Sequence, residues 1–186
     1  CLKKYFKEKK INSKDLTFII QGFGNVGSFS AKLLSSELGM KCIGVGDHTG
    51  YIKNNEGYDV DKLSEYCKEN GSIKDYQKDM IDKDEFFSLK TNVLVLAALE
   101  LQICNDYANK LNCDLIIEGA NGPINLGADE ILHKKNITVL PDVLVNSGGV
   151  VVSYFEWLQN KDKDTWSREK VLNKLNDKMN DAFNRV

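Results

Sequence analysis

Proline is almost missing from this sequence: Pro123 and Pro141 are the only two, each just after an expected strand. No low-complexity stretch and no internal repeat accompanies them. Histidine is equally scarce. His48 reads as a loop residue and His133 as part of a polar helix end, so no metal site is expected. C-x-x-C pairs are absent, and the five cysteines (Cys1, Cys42, Cys67, Cys104 and Cys113) are odd in number and widely spread. That pattern fits reduced thiols of an intracellular, cytoplasmic protein and excludes a disulfide framework. No apolar run approaches the length of a membrane span, and no signal peptide is present, so no membrane partner is expected. A formal net charge of -2 without a basic face argues against nucleic acid.

What is present suits a globular α/β chain. At 186 residues, it can bury roughly 70% of its unfolded surface and needs neither metal nor disulfide to hold a core. Compact apolar runs at 15–21, 41–47, 92–98, 114–120 and 136–141 read as buried strands. They are rich in Val, Ile and Leu without alternation, as when both faces are covered. Helical patterns lie between them. After "GFGNVG", Val26, Phe29 and Leu33, extended by Leu34 and Leu38, form the face expected to cover the sheet, with Gly39 as a stop. "DVDKLSEYCKENG" carries Asp59 as an N-cap and Gly71 as a terminator. Shorter helices are expected around "KDEFF", 105–111 and 127–135, with a charged helical lead-in at 2–10. Strand and helix in alternation imply a Rossmann-like, doubly wound, mostly parallel sheet in a single domain. In the tail, Val171, Leu175, Met179 and Phe183 recur every four residues, a stripe with no obvious partner in the rest of the chain.

"QGFGNVG" places Gly22, Gly24 and Gly27 in a G-x-G-x-x-G pattern directly after a strand and at the opening of a helix. Gly22 allows the tight turn, Gly24 lets backbone approach a pyrophosphate, and Gly27 lets the helix pack close to the strand. Asp47 ends the second strand, twenty residues after Gly27. A carboxylate there can accept both ribose hydroxyls of an adenosine and would repel a 2′-phosphate. Ligands of such sheets lie outside the carboxyl ends of the strands, which directs attention to "AALE", "EGANGP" and "PDVLVNSGG". Ala97 and Ala98 are small enough for a ribose to pass, and Asn121 and Asn146 each carry the donor and acceptor that could hold a carboxamide.

These segments, "QGFGNVGS", "LAALELQI", "EGANGP", "PDVLVNSGGVVVSYFEW" and "WSREKV", resemble the coenzyme-binding domain of the hexameric glutamate dehydrogenase family. The likeness runs from about Asp15 to the tail. It implies that Phe23, Asn25 and Val26 lie along the pyrophosphate, Asp47 on the adenosine ribose, and Ala97 and Ala98 beside the nicotinamide ribose. It further implies Asn121 and Asn146 near the nicotinamide, and Ser153 on the substrate carboxylate. The implied cofactor is NAD, with NADP as the alternative. The implied reaction is reversible oxidative deamination of L-glutamate to 2-oxoglutarate and ammonia by a homo-hexameric parent.

No catalytic residue is expected within the chain itself. In this family a substrate domain, N-terminal to the coenzyme domain, supplies the activating lysine and the proton-transferring aspartate, and this chain opens at Cys1 rather than Met. Residues 1–160 are expected to form the dinucleotide domain and 161–186 a helical segment leading back to that other domain. Three positions depart from the family pattern. Leu96 stands where proline is usual, Leu101 where asparagine is usual, and Asn146-Ser147-Gly148-Gly149 replaces "NAGG". A leucine, phenylalanine or valine dehydrogenase, or a non-catalytic dinucleotide-binding module, remain the alternatives. A targeting segment upstream of Cys1 also stays open.

Overall fold

The apolar runs become strands: β1 (Thr17–Gln21), β2 (Lys41–Asp47), β3 (Gly50–Lys53), β4 (Val93–Leu96), β5 (Leu115–Glu118) and β6 (Thr138–Leu140), in a computed structural model that describes residues 1–186. Their order across the sheet is β3-β2-β1-β4-β5-β6. All neighbours run parallel except β2 and β3, which pair antiparallel through a two-residue turn at His48 and Thr49. Strand order reverses between β1 and β4, which opens a crevice at their carboxyl ends.

The helices are α1 (Leu2–Lys9), α2 (Asn25–Leu38), α3 (Val60–Asn70), α4 (Lys83–Ser88), α5 (Asn105–Lys110), α6 (Leu126–Lys134), α7 (Asp142–Val145), α8 (Gly148–Asp162) and α9 (Arg168–Phe183). Local chemistry fixes their ends. Asp59 accepts the Lys62 N–H, Asp82 the Glu85 N–H, Asn125 the Ala128 N–H and Ser167 the Lys170 N–H, each satisfying a first-turn donor. Gly39 and Gly71 close α2 and α3 in the left-handed conformation. None of the helices is long and apolar enough to cross a membrane.

Successive strand residues bury on opposite faces. Phe18, Ile20, Val45, Val93, Val95 and Leu115 join α1, α2 and α3 in one core. Ile19, Leu94, Leu96 and Ile116 join Phe86, Phe87, Ile103, Ala108 and Leu132 in the other. Double-sided burial explains the lack of polar alternation in the sequence.

Three expectations are corrected. The turn and strand at 48–53 were not foreseen. Only Ile52 of β3 is buried, and four residues are too few to show a period. The face of α2 is only partly as expected: Leu34 is buried and Leu38 packs on the first core, but Gly27 and Ala31 complete the buried face, whereas Val26, Phe29 and Leu33 are 54%, 67% and 44% exposed. Small residues win because they let the helix approach the sheet closely. Finally, the tail stripe does have partners within the chain. Phe183 packs against the first core and takes the Lys4 ammonium over its ring at 5.2 Å, and α9 lies against α7 and α8.

Candidate functional site

At the carboxyl ends of β1, β2 and β4 the chain forms a crevice of about 640 Å³. It is lined by Gly22, Gly24, Asp47, Tyr51, Ala97, Ala98 and Gln102 among others. A neighbouring hollow of about 280 Å³ lies between the α2 N-terminus and α3, bounded by Asn25, Ser28, Asp47, Lys68 and Ser72.

Each loop glycine has its own requirement. Gly22 takes φ +92°, and any Cβ on it would collide with the Ala97 carbonyl. The turn is pinned by the Gly22 N–H on the Gly46 carbonyl and the Ala97 N–H on the Gln21 carbonyl, both 2.7 Å. On Gly27 a Cβ would fall onto the Gly22 carbonyl, its carbon only 2.8 Å away, so α2 can approach β1 only with hydrogen here. Gly24 differs: a Cβ there would meet nothing within 4 Å and its φ is ordinary. Nothing in the protein demands glycine at that point, and the space it leaves faces out of the loop. The N-terminus of α2 carries no side-chain cap, so its first N–H groups and the positive end of its dipole are free for an anion. Asn25 and Val26 are exposed beside this opening, while the Phe23 ring is buried in the core and leaves mainly backbone at the edge.

Asp47 stands on the ridge between crevice and hollow, its side chain only 9% exposed. Its carboxylate is already engaged. Oδ1 accepts the Thr49 N–H at 2.7 Å and the Thr49 hydroxyl at 2.6 Å, and Oδ2 accepts the Ile73 N–H at 2.8 Å. The expected acceptance of both ribose hydroxyls is therefore narrowed: Oδ1 is saturated, and Oδ2 retains one lone-pair direction. Cys67 borders the hollow as a neutral thiol, pushed up to about 11 by burial and then by the charge of Asp47.

The crevice also holds residues that the sequence did not single out. Gln21, nine-tenths buried, donates to Gln102 Oε1 at 2.8 Å and leaves its own Oε1 without a partner. Burial raises the Tyr51 hydroxyl above its ordinary range, while the Gln21 side chain beside it works the other way. A polar residue ending an otherwise apolar strand, directly before the glycine loop, was the available signal for Gln21.

Across the switch point, Asn121 and Asn146 come together, the Asn146 amide donating to Asn121 Oδ1 at 2.6 Å. Ala97 and Ala98 line the crevice. Ser153 stands exposed on α8. Leu101, one of the three departures, adopts φ +53°, a left-handed backbone in which asparagine is at ease and a branched side chain is strained.

The model for the glutamate/leucine/phenylalanine/valine dehydrogenases matches residues 1–186. This chain belongs to that family. A glutamate dehydrogenase of Thermotoga maritima is 46% identical over 177 residues, which are 95% of this chain and 42% of that protein. Among solved structures, the hetero-hexameric glutamate dehydrogenase of Thermus thermophilus in a Leu-bound form superposes with a TM-score of 0.89 at 30% identity. It covers 97% of this chain and 42% of its own. The glutamate dehydrogenase of Peptoniphilus asaccharolyticus does so with 0.77 at 31%, covering 98% and 42%. The chain thus spans less than half the length of the relatives it matches.

Proposed function

We propose that this chain is the coenzyme-binding part of an NAD(P)-dependent glutamate dehydrogenase. The observation that carries the reading is the loop itself: Gly24 opens onto empty space beside an uncapped helix N-terminus, with a braced carboxylate at the next strand end. A pyrophosphate suits the first two features and an adenosine ribose the third. Gly24, Asn25 and Val26 would supply backbone N–H groups to the phosphates. The Phe23 backbone would border them, and Gly22 and Gly27 would shape the turn. Asp47 would accept a ribose hydroxyl on Oδ2. Ala97 and Ala98 would give the second ribose room, and Asn121 and Asn146 would hold the carboxamide.

When bound, the dinucleotide accepts or returns a hydride, and the protein contributes binding, orientation and electrostatics. NAD is the favoured coenzyme because an anionic Asp47 on the crevice ridge opposes a 2′-phosphate. The parent's substrate is L-glutamate, exchanged with 2-oxoglutarate and ammonia, with Ser153 donating to a substrate carboxylate. "EGANGP" and the name of the 46%-identical relative favour glutamate over leucine, phenylalanine or valine. A hexameric parent, and residues 161–186 leading back to a substrate domain beyond residues 1–160, belong to the same reading.

The test is a titration of this chain with NADH and, side by side, with NADPH. NADH is expected to quench the fluorescence of Trp157 and Trp166 with a dissociation constant between about 1 μM and 1 mM, roughly 8 to 4 kcal/mol of binding. Absence of any binding at millimolar NADH, by quenching and by calorimetry, would remove the glycine-loop assignment. Turnover of glutamate by the chain alone would show that it carries catalytic groups of its own.

A further inference from the structure

A carboxylate ending a buried strand is costly unless its lone pairs are used. Glu118 is 8% exposed at the end of β5, and its Oε2 accepts the Asp142 N–H at 3.0 Å. Asp142 then reaches back. Its Oδ2 accepts the Gly122 N–H at 2.8 Å, and its Oδ1 accepts the Val143 N–H at the opening of α7. The two carboxylates do not bond to each other: that of Glu118 takes the backbone N–H of Asp142, and that of Asp142 takes one N–H from the loop after β5 and one from its own helix. The loop after β5 and the short helix after β6 are thereby stitched in both directions. A single turn such as α7 has little stability of its own, so its place depends on these bonds. The third cross-link is the Asn146 amide on Asn121. That bond leaves one amide group of the pair free to donate and one carbonyl free to accept.

We propose that Glu118 and Asp142 are positioning residues for the nicotinamide half of the coenzyme, holding Asn121 and Asn146 as one preformed donor–acceptor pair that matches a carboxamide. The proposal rests on the coenzyme-binding reading above. The carboxylates do not touch the ligand. They fix the two backbones from which the asparagines project, so their loss acts on one half of the dinucleotide only.

NADH and ADP-ribose, which lacks the nicotinamide, separate the two halves. Asp142→Asn replaces one acceptor oxygen with an NH₂ that faces a backbone N–H, breaking one of the two bonds. It is expected to weaken NADH about 10- to 100-fold, as for one lost hydrogen bond to a charged group, with ADP-ribose unchanged within about twofold. Glu118→Gln keeps an acceptor for the Asp142 N–H and is expected to bind NADH like the parent, whereas Glu118→Leu is expected to lose NADH selectively. Should Glu118→Leu fail to fold by circular dichroism, the Asp142→Asn and Glu118→Gln pair still decides. Equal losses of NADH and ADP-ribose in Asp142→Asn, or no loss of either, would overturn the positioning role. Failure of the unaltered chain to bind both ligands would overturn the coenzyme site itself, a distinguishable result.

Discussion

Thr49 gives Asp47 two hydrogen bonds on one oxygen, its backbone N–H at 2.7 Å and its hydroxyl at 2.6 Å. The turn between β2 and β3 thus holds the carboxylate that faces the crevice, and Ile73 holds it from the far side. A carboxylate anchored in this way has one orientation, and its Oδ2 keeps one lone-pair direction free.

From that brace follows a prediction about coenzyme choice. Asp47→Ser removes the charge and is expected to weaken NADH more than NADPH. Thr49→Val keeps the shape and the backbone N–H but deletes the hydroxyl. It is expected to narrow the NADH-over-NADPH preference in the same direction, by about 3-fold for a bond worth roughly 0.5–1 kcal/mol, and Thr49→Ser should restore it. Parallel titrations of both coenzymes read the ratio. A proportional fall in both affinities would show that Thr49 supports only the turn.

Gly24 and Gly27 belong to one motif but answer to different constraints. A Cβ on Gly27 collides with the Gly22 carbonyl, so Gly27→Ala is expected to cost about 1–3 kcal/mol of stability, as overpacking does, and to disturb binding with it. A Cβ on Gly24 meets no protein atom. Gly24→Ala is therefore expected to change stability by no more than about 1 kcal/mol while weakening NADH sharply, since the methyl occupies the ligand's space. Chemical unfolding and NADH titration on both variants separate the two cases. Equal destabilisation would place the Gly24 requirement in the fold rather than the ligand.

Much of this architecture was legible because buried parallel strands write themselves as uninterrupted Val/Ile/Leu runs, and because glycines at fixed offsets have one steric meaning. Periodicity misled at α2, where Val26, Phe29 and Leu33 form the more apolar stripe yet stay exposed. Close approach selects Gly27 and Ala31 for size, a criterion that hydrophobicity does not measure. The stripe at Val171–Phe183 looked orphaned because α1 lies at the other end of the chain and because the pattern of α7 and α8 does not show that the chain doubles back to lay α9 against them. In the site, positions were readable but pairings were not. Asp47 was singled out without its Thr49 and Ile73 donors, and Glu118 passed as one letter of "EGANGP". Hydrogen bonds between distant loops leave no periodic trace.

Leu101 illustrates a departure from the family pattern that has a price in strain. Its φ of +53° suits asparagine, the residue that the resemblance leads one to expect here, and its side chain is exposed, so little packing offsets the conformation. Leu101→Asn is expected to stabilise the chain by about 0.5–1 kcal/mol, raising Tm by roughly 1–4 °C for a domain of this size. NADH affinity should not move, because Leu101 does not line the crevice. A lower Tm would mean that the exposed leucine makes contacts worth more than the relief of strain.

Glu118 sets a pH dependence whose sign is fixed by burial. Loss of solvation raises its carboxyl above the ordinary 4.5, the charges of Asp142 and Asp129 add to the effect, and the hydrogen bond from the Asp142 N–H opposes it. A carboxyl that binds its proton more tightly folded than unfolded stabilises the fold at low pH. That contribution is lost as pH rises from the unfolded value through the folded one. Glu118→Gln does not titrate and still accepts the Asp142 N–H. The variant is therefore expected to gain on the parent as pH climbs from about 4.5 toward 7, with the two differing least at the acid end. Denaturant unfolding of both proteins across that range, at constant m-value, measures the difference directly. Parallel stability curves would mean that water or a rearranged loop solvates the Glu118 carboxylate in solution, and that its place at the end of β5 carries no electrostatic cost.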